Sequence, residues 1–157
     1  MIAKPILDPA YWKKRLEDCR ELHHSVYVCT NDQWREIEQR HTQEIAAVLN
    51  PYDHVLDLGC AYGRLLNMLP ETWLGDYVGV DLSPDFIELA KHIHPHRTFV
   101  VSEFSEFLDS CPDKAFDIAI LISIKGMTIS QVGELAWNSI ESRLNRVCKK
   151  QLILEYT

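Results

Sequence analysis

Downstream of Pro51, five strand-length apolar runs follow one another, and helical patterns fill the gaps after the first, second and fourth. The runs are Val55–Leu58, Tyr77–Asp81, Thr98–Val101, Phe116–Ile122 and Gln151–Tyr156. The fourth is almost continuously apolar, as expected of a strand buried on both faces. The helical patterns cover Arg64–Leu69, a stretch from Ser83 to about His92, and Gln131–Val147. Ser83-Pro84-Asp85 is a strong helix start: Ser caps, Pro takes the first helical position, and Asp faces the positive end of the dipole. The expected apolar face of that helix is Phe86, Leu89, Ala90 and Ile93. In Gln131–Val147 it is Val132, Leu135, Ala136, Ile140, Leu144 and Val147. Strands alternating with helices pack only as parallel strands with right-handed crossovers and helices on both sides. The expectation is an α/β three-layer sandwich around a mostly parallel five-stranded sheet.

The first 50 residues precede this pattern. A short helix is expected from Tyr11 to Leu22, followed by the polar-aromatic stretch His23-His24-Ser25-Val26-Tyr27. Thr30-Asn31-Asp32-Gln33 has the form of a capping box. The helix it opens should run to about Leu49, with Trp34, Ile37, His41, Ile45 and Val48 on one face. Residues 1–157 read as one domain, with 1–50 as a helical lid and 51–157 as the core.

Composition narrows the partners. The 157 residues carry a formal net charge of −7, with 46% hydrophobic and 25% charged residues. An acidic balance repels a phosphate backbone, so a nucleic-acid partner is not expected. Lys13-Lys14-Arg15 and Arg143–Lys150 are basic, but both lie on amphipathic helical patterns and read as solvated faces. The five cysteines form no CxxC pair, no signal peptide precedes them, and no apolar run suits a bilayer. A cytoplasmic protein with reduced thiols is the expectation.

In parallel sheets, ligands bind beyond the carboxyl ends of the strands. There the sequence places Asp57-Leu58-Gly59-Cys60-Ala61-Tyr62-Gly63 after the first strand, where two glycines let the backbone turn tightly and approach a ligand. Asp81 ends the second strand, where a carboxylate can accept both ribose hydroxyls of an adenosine group. A dinucleotide also needs a seat for its pyrophosphate. Ala61 and Tyr62 occupy that turn, GxGxxG is not satisfied, and no P-loop lysine follows. S-adenosylmethionine carries no phosphate. Its ammonium suits Asp57, and its carboxylate suits the turn amides.

These segments, with Val78-Gly79-Val80-Asp81-Leu82-Ser83-Pro84 and Phe116-Asp117-Ile118-Ala119-Ile120, resemble the motif series of class I S-adenosylmethionine-dependent methyltransferases. The resemblance covers about Val55 to Thr157. It implies a Rossmann-like fold and S-adenosyl-L-methionine as cofactor, with S-adenosyl-L-homocysteine as product. It also implies a cofactor site of Asp57, Gly59, Cys60, Ala61, Gly63, Asp81, Leu82, Glu103, Phe104 and Ser123. Ser123, Ile124 and Lys125 would line the reaction pocket. Ala61 stands where the family usually has a glycine. The family's sheet also carries two further strands that this sequence lacks. The fifth strand is therefore expected at an edge, as a monomer or as a homodimer seam.

Upstream of the motif, where the family often places a lid, Tyr27 and His24 are candidates to act on the acceptor, with Lys125 as a third. An aromatic face attracts a sulfonium, and a histidine can take a proton. Trp34 reads as packing. Cys60 reads as a small packing residue, since methyl transfer needs no covalent relay. His92, His94 and His96 lack a completing ligand, so no metal is expected. Asn50-Pro51-Tyr52 resembles an amide-holding motif but lies before the first strand, at the wrong end of the sheet. The expected activity is in-line methyl transfer to a small-molecule acceptor. A protein acceptor, a non-catalytic binding module and cofactor cleavage are the alternatives.

Overall fold

The computed structural model describes residues 8–156. Five strands, β1 (Val55–Leu58), β2 (Tyr77–Asp81), β3 (Thr98–Val101), β4 (Phe116–Ile122) and β5 (Cys148–Leu154), form one sheet in the order β3-β2-β1-β4-β5. Every pairing is parallel, with Val55 opposite Tyr77 on one side and Ile118 on the other. The expected Rossmann-like sandwich is what forms. Because side chains alternate across a strand, Ile118, Ile120 and Ile122 enter one core and Ala119 and Leu121 the opposite one. The first core lies under α2 (Asn31–Val48) and α3 (Pro84–Ile93). The second lies under α4 (Phe104–Ser110), α5 (Ile124–Val132) and α6 (Glu134–Val147).

The capping box at Thr30 closes in both directions: Gln33 N donates to Thr30 Oγ1 at 3.2 Å and Thr30 N to Gln33 Oε1 at 2.9 Å. It aims Trp34, Ile37, His41 and Ile45 inward, while Val48 stays exposed. Backbone carbonyls then pin α2 to β5. The carbonyl of Glu155 accepts from Arg40 and His41, and the carbonyl of Val48 accepts from Lys150.

Several boundaries differ from expectation. The first helix, α1 (Pro9–Asp18), ends early because Cys19 is extended, and Leu22–Ser25 forms a separate 3₁₀ turn. The break lets Trp12 and Leu16 on one side, and Leu22 and Val26 on the other, reach one cluster around Ala61, Tyr62 and Phe86. In α3, Ile87 takes the buried place expected of Ile93, which is exposed. Helix α4 had not been expected. The helix expected from Gln131 is two helices: α5 ends at Gly133, whose φ is +91°, and α6 starts afresh. Trp137, Ile140, Leu144 and Val147 face the core, whereas Val132 and Leu135 are exposed. Strand β5 starts at Cys148 rather than Gln151. It therefore includes Lys149 and Lys150, whose ammonium groups pair with Asp117 at 2.7 Å and Asp53 at 2.9 Å. Among the described residues β5 pairs only with β4, so it is the sheet's edge.

Candidate cofactor site

The strand order reverses between β1 and β4, and the residues that follow their carboxyl ends meet in one place. Gly59 leaves β1 with φ +82°. A Cβ there would lie 2.2 Å from Ile124 Cδ1 and 3.5 Å from Phe104 Cζ, so a side chain has neither the backbone conformation nor the room. Ala61 also adopts a left-handed conformation, at φ 47°, with its small methyl. The turn is braced from β2. Gly59 N and Cys60 N donate to the Val80 carbonyl at 2.8 and 3.0 Å, and Ala61 N donates to Asp81 Oδ2 at 2.9 Å. Gly63 N donates to the Cys60 carbonyl at 2.9 Å. These turn amides, expected to receive a ligand carboxylate, are thus engaged within the protein.

Two carboxylates, one buried and one half-buried, mark the floor. Asp57 is 3% exposed and accepts a hydrogen bond from the Tyr77 hydroxyl at 2.6 Å. Gly79, opposite Asp57 in register, leaves the space through which that hydroxyl passes: a Cβ there would sit 2.8 Å from Tyr77 Oη. Burial pushes the Asp57 carboxyl up to about 7, against the opposing pull of the Tyr77 bond and the Arg64 charge. Asp81 is also pushed up by burial, although Ser83 N and Ala61 N each donate to one of its oxygens at 2.9 Å. With the Leu82 amide as a third backbone donor, one of the carboxylate's four acceptor positions is left for a ligand hydroxyl. Ser83 Oγ, and not Asp81, caps α3, accepting from Phe86 N at 3.3 Å.

Above these acids lies a cavity of about 390 Å³. Asp57, Gly59, Cys60, Ala61, Asp81, Leu82, Glu103 and Phe104 line it, so eight of the ten expected cofactor residues converge. Gly63 and Ser123 stand behind the wall. Gly63 packs against His94 and Phe99. Ser123, buried in a left-handed conformation, accepts from Tyr156 N at 3.0 Å and fixes the end of β5. The Cys60 thiol is buried, and that burial holds its pKa well above its usual range, consistent with packing rather than nucleophilic duty.

The three residues expected to act on the acceptor do not line the cavity. Tyr27 stacks on Tyr156 with ring centres 4.5 Å apart, and Tyr156 is itself a wall residue. His24 Nε2 lies 3.0 Å from the Cys29 carbonyl, and the His24 carbonyl accepts from Arg15 at 2.6 Å. Lys125 lays its ammonium 5.5 Å from the centre of the Trp137 ring, away from the cavity. Sequence reasoning missed several wall residues: Trp12 and Val26 from the N-terminal segment, Met127 and Thr128 from α5, and Arg64. Arg64 carried a visible signal, a charged residue directly after Gly63 and before the apolar pair Leu65-Leu66.

Relatives fit this geometry. A methyltransferase-domain family model matches residues 55–151, and the chain belongs to that family, whose cofactor is S-adenosyl-L-methionine. No curated protein matches the sequence. Among solved structures, the chain is similar to the PH0226 protein from Pyrococcus horikoshii OT3. The TM-score is 0.62 at 23% identity, covering 83% of this chain and 62% of that one. It is also similar to a TehB-like SAM-dependent methyltransferase from Corynebacterium glutamicum (TM-score 0.60, 21% identity, 93% of this chain and 73% of that one). A third likeness is to the bifunctional kinase-methyltransferase WbdD (TM-score 0.60, 19% identity), where the match covers 90% of this chain but 34% of the other. The chain thus spans about a third of WbdD, and these likenesses concern the fold.

Proposed function

We propose that the protein binds S-adenosyl-L-methionine in the 390 Å³ cavity and transfers its methyl group to a small-molecule acceptor. One observation carries this reading: a buried carboxyl without an ion-pair partner, Asp57, opens onto a cavity whose glycine turn has the amides of Gly59, Cys60, Ala61 and Gly63 engaged within the protein. Such an acid ionises comfortably only when a cation arrives. Bound there, the cofactor supplies a methyl group activated by its sulfonium. Asp57 would hold the ammonium, Asp81 the ribose, and Leu82, Glu103 and Phe104 the adenine side. Trp12 and Val26 would exclude water from above, so residues 1–50 act as the lid. Tyr27 reaches the wall through Tyr156 and is the best placed of the three expected acceptor-side residues; His24 and Lys125 would act only after rearrangement.

Asp81 offers the sharpest check. Asp81→Ala should weaken S-adenosylmethionine and S-adenosylhomocysteine alike by about 1.5–3 kcal/mol in calorimetry. Asp81→Asn should keep the Ala61 brace in part and lose less. Equal affinity in all three proteins would remove the ribose assignment. The acceptor is found by screening labelled methyl transfer across amines, carboxylates and phenols. S-adenosylhomocysteine with a methylated product supports transfer. Methylthioadenosine indicates cleavage, and binding without turnover indicates a module.

The free cysteines suit a reducing, cytoplasmic setting, and no helix among the described residues is long and apolar enough to cross a membrane. The β5 edge is the proposed seam of a homodimer, although Lys149 and Lys150 blunt its first half. Light scattering should then show mass rising with concentration, and a constant monomer mass would exclude the seam.

A further inference from the structure

Helix α5 builds one wall of the cavity, and that wall carries no charge. Met127, Thr128, Gln131 and Val132 line it, joined by Ile122 from the end of β4 and Ile124 from the start of α5. The charged wall residues, Asp57, Arg64, Asp81 and Glu103, all lie in β1 and β2 or just after β1 and β3. From Phe104 to Tyr156 no described wall residue is charged. The single ionic side chain of α5 is turned elsewhere, since the Lys125 ammonium stands over the Trp137 ring. Glu155 also approaches α5, but it is not a wall residue, and its Oε1 accepts from Gly126 N at 3.2 Å. A charged group buried against this wall would lose its water and gain no counter-charge. An apolar ligand meets no such cost, and Thr128 and Gln131 bring neutral polar groups able to orient it.

Sheet order decides which part of a bound cofactor this wall faces. Strands β2 and β3 lie on one side of β1 and β4 on the other, so α5, which leaves β4, starts across the glycine turn from Asp81 and Glu103. Ile124 packs on Gly59 at that turn. With its ribose at Asp81 and its adenine toward Glu103, the cofactor turns its sulfonium half toward β1 and β4. An acceptor in line with the sulfonium then stands against Ile124 and α5. The same wall reaches the surface. Val132 lines the cavity and is 47% exposed, and Leu135 beyond it is 85% exposed. Between them Gly133 ends α5 at φ +91°, and apart from its chain neighbours no described heavy atom lies within 4 Å of where a Cβ would stand. Apolar side chains exposed at the lip of a cavity mark an entrance for an apolar ligand.

We infer that the acceptor is a neutral, apolar small molecule that enters at the α5–α6 joint and lies against α5, with Met127 and Val132 selecting for it. The inference rests on the cofactor assignment proposed above and supplies the chemical class of acceptor which that assignment leaves open. Transfer breaks the bond from methyl to sulfonium, forms one from methyl to the acceptor's nucleophilic atom, and releases that atom's proton to solvent. Among the classes in the methyl-transfer screen, phenols fit this wall, whereas carboxylates and protonated amines do not.

The test titrates naphthol, naphthoate and naphthylmethylammonium calorimetrically into the whole protein saturated with S-adenosylhomocysteine, so that no transfer occurs. Naphthol should bind about 10-fold more tightly than either charged analogue, or better. Val132→Asp should weaken naphthol by about 10-fold while leaving the affinity for S-adenosylhomocysteine unchanged. Val132→Asn adds no charge and should lose less, which covers the case in which the aspartate variant does not fold. A charged analogue that binds as tightly as naphthol overturns the inference, as does a wild type that binds none of the three. Naphthol affinity unchanged in the variants overturns it too. If the variants weaken S-adenosylhomocysteine as much as naphthol, α5 belongs to the cofactor; the inference then falls and the cofactor assignment stands. A wild type that does not bind S-adenosylhomocysteine removes the cofactor assignment itself.

Discussion

Asp57→Asn is expected to stabilise the ligand-free protein at pH 8 by on the order of 4 kcal/mol while leaving it nearly unchanged at pH 4. The folded carboxyl titrates at about 7, whereas the ordinary value is 3.8. Between those two values the folded state keeps a proton that the unfolded state has released. Stability therefore falls as pH rises from about 4 to about 7 and is flat above. Asparagine has the same shape, can still accept from the Tyr77 hydroxyl, and carries no charge to desolvate. Urea titrations of both proteins at pH 4.5 and pH 8 give the difference directly. Parallel pH profiles would show that Asp57 is not the group that titrates. The same variant should bind S-adenosylhomocysteine far more weakly, about 100-fold, because the ammonium loses its counter-charge. A site can thus trade stability of the free protein for affinity, and under the proposed function Asp57 would be where this one does so.

Removing residues 1–28 should abolish turnover while leaving the capping box at Thr30 and all five strands in place. The lost segment contributes Trp12, Leu16, Leu22 and Val26 to the cluster around Ala61, Tyr62 and Phe86. It also supplies two wall residues of the cavity, so both water exclusion and the shape of the acceptor side go with it. Trp12→Ala tests the same proposal without exposing the whole cluster, and a loss of about 100-fold in kcat/KM with little change in melting temperature is expected. Full activity in the truncated protein, assayed against an acceptor found by the methyl-transfer screen, would remove the lid.

The strands were legible because burial on both faces forces continuous apolar runs, and β4 is the clearest case. The start of α3 was legible because Ser83, Pro84 and Asp85 each satisfy a different requirement of a helix N-terminus. Helix α5 was not. Its sequence, Ile124 to Val132, contains Gly126 and the β-branched Thr128 and Ile129, and it has no one-sided apolar stripe. Packing, not propensity, makes it helical, with Met127 and Ile129 set against the second core. The acids of the site could be read because a carboxylate at a strand's end has few structural uses. The engagement of the turn amides could not, since it depends on how β2 lies beside the turn, and neither could the burial of Arg64 between rings distant in sequence.

No two neighbouring strands are joined by a hairpin, and β1 must find β4 across the intervening β2 and β3. Such pairings form late, after long loops have closed. The cavity draws on residues from Trp12 to Tyr156, so a partly folded chain has no binding site to offer. Under the proposed function, cofactor would bind the finished protein alone and add its free energy to the global unfolding equilibrium, about 2.7 kcal/mol when present at 100 times its Kd. Cells short of cofactor would hold this protein closer to unfolding and to proteolysis. The metabolite that feeds the reaction would then also help set how long each copy survives.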